Sequence, residues 1–381
     1  MDLGSTYTKA ALLVDHRVVM ERQLPTPGPL QASAERYEID AEKYYQQVLT
    51  LIDAFLDEGD VQGILLSTQM HGYVLTDASF KSCTPYVSWR DQLGENYLPQ
   101  LREWLTAADV YPSGVPLKGN LALCSLLARR AQGDDLPETA WFHTLGGYMV
   151  ARLTGRHACH ITNAAPTGMA DIRRTCWNDA LLKKTGLENL HLPEIVDDII
   201  PLGQYRGVAV YPDIGDQQAC AYGASLEVEH SLHVNVGTAG LMGALCQEFK
   251  VDGCESRPWL ENGLYLRTVS GLRGGRHVQA LRYEYPGPDE QVWERLTQNP
   301  DAHALHFYQE MAQEYRNAAD RMDIKIEELC YSGGCVLQNP ALRACIEANF
   351  ELDDNCTKTG DIWRGMARLA RRIEGSITEE L

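Results

Sequence analysis

Asp216 begins the segment Asp216-Gln-Gln-Ala219, which reads as the first turn of a helix directly after Ile214-Gly215. A carboxylate there is held by free backbone N–H groups and by the helix dipole, so it stays ionised and can accept a proton. Gly215, with no side chain, lets a substrate come close. Taken alone, an aspartate in this place is more often only a helix cap. Two further segments change the weighing: Asp2-Leu-Gly-Ser-Thr-Tyr-Thr-Lys9 and Asn235-Val-Gly-Thr-Ala-Gly240. Each sets small residues and hydroxyls beside an apolar run and reads as strand–turn–strand. Such turns aim backbone N–H groups and threonine hydroxyls at phosphate oxygens. Thr6 and Lys9 in the first, with Gly237 and Thr238 in the second, are the candidate phosphate contacts. Asp2 adds the hard oxygen that Mg²⁺ takes as a ligand. A base, a metal anchor and one phosphate turn per half of the chain are the parts of phosphoryl transfer from a nucleotide such as ATP.

Other residues suit an acceptor. Gln69, Met70 and His71 follow the apolar run 61–66, and the ends of strands in α/β sheets are where ligands bind. The plainer readings are a packed methionine and a satisfied core histidine. Trp89 and Asp91, in Trp89-Arg-Asp91, pair a flat aromatic with a carboxylate, as a sugar's C–H face and hydroxyls require. The plainer reading there is an edge-packed ring beside a solvated ion pair. Ser332, Gly333 and Gly334 fall between a strand and a helix, where bare backbone can lie against adenine or ribose. Asn339, with Gln338, is placed to contact the adenosine; a tight strand–helix turn is the alternative. His157-Ala-Cys-His160 has no second pair at metal-ligand spacing and reads as structural.

The elements that must position these residues fit a two-domain chain of 381 residues. A formal net charge of −18 opposes nucleic acid and anionic membranes as partners, so a polyanion needs local donors and a cation. No apolar run reaches about 18 residues, which argues against a membrane span. No basic segment precedes an apolar run at the amino terminus, and the 11 cysteines hold no C-x-x-C pair, so reduced thiols in the cytoplasm are expected. Periodicity predicts helices over 44–56, 119–131, 140–153, 303–322, 340–349 and an amphipathic one over 360–375. Strands are expected over 61–66, 73–77, 85–89, 232–236, 241–246 and 264–270, with another running into Tyr331. The stretch 199–216 reads as loop, short strand and turn, and 285–290 as a polar loop.

In this order, the segments resemble the FGGY carbohydrate-kinase family, relatives of actin and the heat-shock ATPases. Asp2 to Lys9 is similar to its first phosphate segment, Gly237-Thr-Ala-Gly240 to its second and Ser332-Gly-Gly334 to its adenosine segment. Gln69-Met-His-Gly72 and Trp89-Arg-Asp91 resemble its sugar-contacting segments, and Gly215-Asp-Gln-Gln-Ala219 the one with the catalytic aspartate. Thr162-Asn-Ala-Ala165 resembles its Ser-Asn-Ala-Ser loop, which adds Asn163 to the sugar contacts. The likeness is to the xylulokinase branch, and from Ser256 to Leu272 to sedoheptulokinases. The chain departs from the family at Leu93, where an arginine is usual, in a short stretch between 275 and 303, and in a more charged tail.

The resemblance implies an α/β, two-lobed actin-like ATPase (ribonuclease H-like) fold with its active site in the interlobe cleft. The lobes are expected at 1–226, for sugar and first phosphate, and 227–381, a shortened nucleotide lobe. It implies an ATP- and Mg²⁺-dependent kinase acting on a terminal hydroxyl of a ketose or polyol, with Asp216 as base and a sugar as partner. A homodimer is left open. The alternative is a catalytically silent sugar- or nucleotide-binding regulator, suggested by the short second lobe and by Leu93.

Overall fold

The computed structural model describes residues 1–31, 33–137, 139–350, 352 and 357–379. The chain forms two compact units. Unit 1 comprises Met1–Ala219, Arg257–Asn262 and Met366–Leu381, and unit 2 comprises Cys220–Ser256 and Gly263–Gly365. Each unit draws on separated stretches of chain.

Unit 1 is built on a six-stranded sheet. Its strands run in the order Gly203–Tyr205, Val208–Gly215, Gly63–Thr68, Asp2–Leu3, Tyr7–Val14, Arg17–Pro25. Gly63–Thr68 lies parallel to both Asp2–Leu3 and Val208–Gly215, while Asp2–Leu3 turns back antiparallel onto Tyr7–Val14. The helix Ala41–Leu56 buries Tyr44, Tyr45, Val48 and Ile52 among Leu3, Leu66, Val74, Tyr148 and Val210. A second sheet, of Glu38–Ile39, Tyr86–Val87, Tyr73–Thr76 and Trp141–Thr144, carries a separate core completed by the helix Ala122–Gln132.

Unit 2 repeats the plan. Ser231–Val236 makes a hairpin with Gly240–Cys246, whose other edge pairs with Tyr265–Leu272. Glu328–Ser332 lies parallel to Ser231–Val236, and Thr357–Thr359 parallel to Glu328–Ser332. Both units therefore carry a hairpin, a third antiparallel strand outside it, and two parallel strands on the other side. Helices Gly275–Tyr283, Asp289–Gln298, Ala302–Asp320 and Pro340–Glu347 supply the core around Val234, Met311, Tyr315 and Leu342.

Several elements differ from the sequence expectations. The helix expected over 140–153 begins only at Leu145, because Thr144 caps it and Trp141–Thr144 is a strand. The stretch 199–216 contains the eight-residue strand Val208–Gly215, buried over its last six residues. Part of the polar loop 285–290 is the start of a helix, Asp289–Gln298, which buries only Val292 and Leu296. No helix among the described residues is long and apolar enough to cross a membrane.

Candidate active site

In unit 1, parallel strand ends converge: Thr68 is paired with Leu3 on one side and Gly215 on the other. Gly4, Gln69 and Asp216 come immediately after, so the sheet topology alone gathers three of the segments singled out by sequence. Asp2 sits opposite Lys9 across the hairpin. The turn between them is tight, with Gly4 N–H donating to the Tyr7 carbonyl at 3.1 Å. The Gly4 carbonyl is gripped by the Thr26 hydroxyl at 2.8 Å and by Tyr44 Oη and Gln69 Nε2, each at 3.4 Å. Thr6 is exposed and Lys9 half-buried.

Asp216 is half-buried at the start of the helix Asp216–Gly223. Burial lifts its carboxyl to about 6, against the downward pull of the Gln217 N–H, which donates to Oδ1 at 2.8 Å, and of Arg257. The base expected from the cap position is thus mostly ionised at neutral pH, although desolvation outweighs the backbone donors. Burial, followed by the charge of Asp216, lifts Asp2 to about 7. The buried guanidinium of Arg257 bonds Gln217 Oε1 and lies 3.9 Å from Met70 Sδ. No local pattern marks Arg257 in the sequence, since it is 40 residues from Gln217.

Gly215 has another reason to be glycine than the one expected. A Cβ there would stand 2.6 Å from Gln218 Oε1 and 3.0 Å from Met70 Sδ, so the close approach is by neighbouring side chains. Gln69 and Met70 are buried; His71 holds φ 72°, a left-handed conformation unusual for a side-chain residue. Gly72 is required, because a Cβ would fall 2.3 Å from Tyr86 Oη. Trp89 is half-buried with Arg90 over its ring at 5.7 Å. Arg90 also meets Tyr37 Oη at 3.1 Å and Ser5 Oγ at 3.4 Å, so it is no free surface charge.

Asp91 and Asn163 are spent inside the protein. The buried Asp91 carboxylate accepts from Tyr37 N–H at 3.0 Å, Leu93 N–H at 3.2 Å and Arg129 at 2.8 Å. Asn163 donates to Asp213 Oδ2 at 2.8 Å and Thr68 Oγ1 at 3.0 Å. Asp213, which no sequence motif marks, is the completely buried partner that this network serves.

In unit 2 the hairpin turn after Val236 is met by the turn after Ser332. Gly333 has φ 90°, and a Cβ there would stand 2.5 Å from the Val236 carbonyl carbon and 2.7 Å from Gly237 N. The Ser332 hydroxyl is buried between His233 Nε2 at 2.8 Å and Asn235 Nδ2 at 2.7 Å. Asn339 is also buried, capping the helix Pro340–Glu347 through Leu342 N–H at 3.0 Å and meeting Tyr308 Oη at 3.0 Å. Both side chains therefore shape the turn. Thr238 is exposed, Gly237 half-buried, and a Cβ on Gly334 would meet nothing within 4 Å. Gly275 N–H donates to the Gly237 carbonyl at 2.7 Å and Arg276 N–H to that of Thr238 at 3.2 Å. The start of the helix Gly275–Tyr283 thus buttresses the hairpin.

The paired hairpin-and-parallel-strand sheets define a two-domain actin-like ATPase fold. It is shared with the gluconate kinase from Lactobacillus acidophilus, which has TM-score 0.84 and 18% identity over 98% of this chain and 88% of that one. The xylulose kinase of the same organism gives TM-score 0.83 and 17% identity over 98% and 89%. Residues 1–204 match the N-terminal domain of the FGGY family of carbohydrate kinases, and the chain belongs to that family. Among curated relatives, the xylulose kinase of Escherichia coli (strain K12) is 24% identical over 267 residues, 65% of this chain and 54% of that protein. The chain spans about half the length of the curated relatives it matches.

Proposed function

We propose that this chain is an ATP-dependent carbohydrate kinase that phosphorylates a terminal hydroxyl of a ketose or related polyol, sedoheptulose- or xylulose-like. The observation that carries the reading is Asp216. It is a half-buried carboxylate at the meeting of parallel strand ends, with its carboxyl lifted to about 6 and still mostly ionised at neutral pH. A base so poised is matched to the removal of a proton from an alcohol. Asp216 takes that proton as the acceptor oxygen attacks the γ-phosphorus. Residues 1–226 serve the sugar and the first phosphate turn, and 227–381 serve the nucleotide.

Thr6 and Lys9 in one turn, with Gly237 and Thr238 in the other, orient the phosphates. The backbone of Ser332, Gly333 and Gly334 offers a bare face to the nucleoside, and Asn339 fixes the helix behind it. Gln69, Met70, His71 and Trp89 meet the sugar, while Asp91 and Asn163 hold the wall of its site in shape. Among the described residues no group of three or more His, Cys, Asp or Glu is placed to hold a metal alone. Asp2 nevertheless fits a Mg²⁺ that arrives with a nucleotide. That ion takes one or two carboxylates and keeps waters, and the repulsion felt by Asp2 from Asp216 favours a cation beside it. Bound there, Mg²⁺ would spread the charge of the transferred phosphoryl group. The enzyme would be cytoplasmic, with a small sugar as partner and neither nucleic acid nor membrane.

A coupled ADP-release assay with sedoheptulose, xylulose, ribulose and glycerol tests this. ADP release that depends on a ketose or polyol is expected. Sugar or nucleotide binding without any sugar-dependent ADP would overturn the reading and leave a binding module.

A further inference from the structure

Asp213 is 0% exposed, and among the described residues no lysine or arginine pairs with it. Its Oδ1 accepts from the His160 N–H at 3.0 Å; its Oδ2 accepts from Asn163 Nδ2 at 2.8 Å and the Thr144 hydroxyl at 3.3 Å. Asn163 Nδ2 also reaches the Asp213 carbonyl at 3.2 Å. Two residues on, Gly215 N–H donates to Thr162 Oγ1 at 3.0 Å, and that hydroxyl pairs with His160 Nδ1 at 2.8 Å. The strand Val208–Gly215 is irregular between Val210 and Asp213, so its last residues are not aligned by a regular ladder alone. Asp216 comes next.

We propose that Asp213 is a positioning residue whose carboxylate locks the turn 160–163 onto the end of this strand and so fixes the direction of Asp216. The inference rests on the kinase reading, in which Asp216 is the base. It also gives Asn163 a part in the lock.

The surroundings offer the carboxyl hydrogen-bond donors and a helix end rather than a cation. Thr144 caps the ten-residue helix Leu145–Thr154, and Gly146 lies so close that a Cβ would be 2.2 Å from Asp213 Cβ. The carboxylate thus sits at a helix N-terminus, where N–H dipoles favour an anion. The strand Gly63–Thr68 places Leu66 opposite it. Of the titratable neighbours, His160 is pushed down to about 3 by burial and is neutral, and the Cys159 thiol is pushed well up by burial and then by Asp213. Burial lifts Asp213 itself to about 7. A carboxyl raised in the folded state lowers stability as pH climbs from its unfolded value through that point. An amide would escape this cost but would turn its NH2 toward the His160 N–H or the Asn163 amide, both donors, so the site is built for two acceptor oxygens.

The test is Asp213→Asn in the full chain. The lock predicts a fall of tenfold or more in sugar-dependent kcat with an unchanged KM for ATP. Faster hydrogen exchange at the His160 and Gly215 amides should accompany it. Adding Asn163→Asp, which reverses the amide–carboxylate pair, should restore part of the kcat. A kcat within twofold of the parent would overturn the proposal, as would a KM for ATP that rises in step with the fall in kcat, which marks a merely structural role. If the parent shows no sugar-dependent ADP release, the kinase reading fails instead. Amide exchange in the variant then still decides the lock: faster exchange upholds it and unchanged exchange removes it.

Discussion

Replacing Gly333 by alanine should damage nucleotide handling more than sugar handling. A Cβ at this position would stand 2.5 Å from the Val236 carbonyl carbon, 2.6 Å from its oxygen and 2.7 Å from Gly237 N. Carbon contacts rest at about 3.5–4.0 Å, so the two turns must part by about 1 Å. The backbone cannot yield by rotation, because φ is 90° and a side chain in left-handed backbone costs about 1–2 kcal/mol. Gly237 is the proposed phosphate contact, and a 1 Å misplacement of a positioning group costs about 10²-fold in rate. Steady-state kinetics with ATP varied at saturating sugar, then the converse, measure the effect. We expect kcat/KM for ATP to fall by about 10² while KM for the sugar stays within about twofold, the pattern of a loss confined to one substrate. Unchanged ATP kinetics in a variant with intact circular dichroism would refute the link between this hairpin and the nucleotide.

Other outcomes follow from the same geometry. Asp216 works as a base only when ionised, and burial lifts its carboxyl to about 6. The pH profile of kcat/KM should therefore be flat above that point and fall about tenfold per unit below it, a limb that a different base would displace. Arg129→Met should strand the buried carboxylate of Asp91, which Arg129 pairs from a nearly buried position, while Glu38 keeps Arg36 at 3.6 Å. Removing one partner of a buried pair costs about 3–5 kcal/mol, so the melting temperature of unit 1 should drop by roughly 10 °C in calorimetry.

How much of this is legible in the sequence depends on the range of the interaction. The two hairpins, the strand before Gln69 and the helix from Asp216 rest on neighbouring residues, and each is found where local pattern expected it. The strand Arg17–Pro25 escaped because it is exposed over its first five residues and carries no alternation of apolar and polar positions. Helix Asp289–Gln298 is too polar to stand out from a loop. Side-chain partners were less accessible still. Nothing local in Asn163, Ser332 or Asn339 reveals that Asp213, His233 or Tyr308 will take up its polar atoms, because those partners arrive through the fold. Asp213 and Arg257 were missed for the same reason. Each matters through groups brought to it by distant strands or turns.

The most direct measurement is sugar-dependent ADP release by Asp216→Asn beside the parent chain, with ATP affinity read separately by direct binding. Removing a positioned general base should lower kcat by about 10²–10⁴ and leave ATP affinity nearly unchanged. Turnover at the parent rate would contradict the assignment of Asp216 and with it the proposed chemistry.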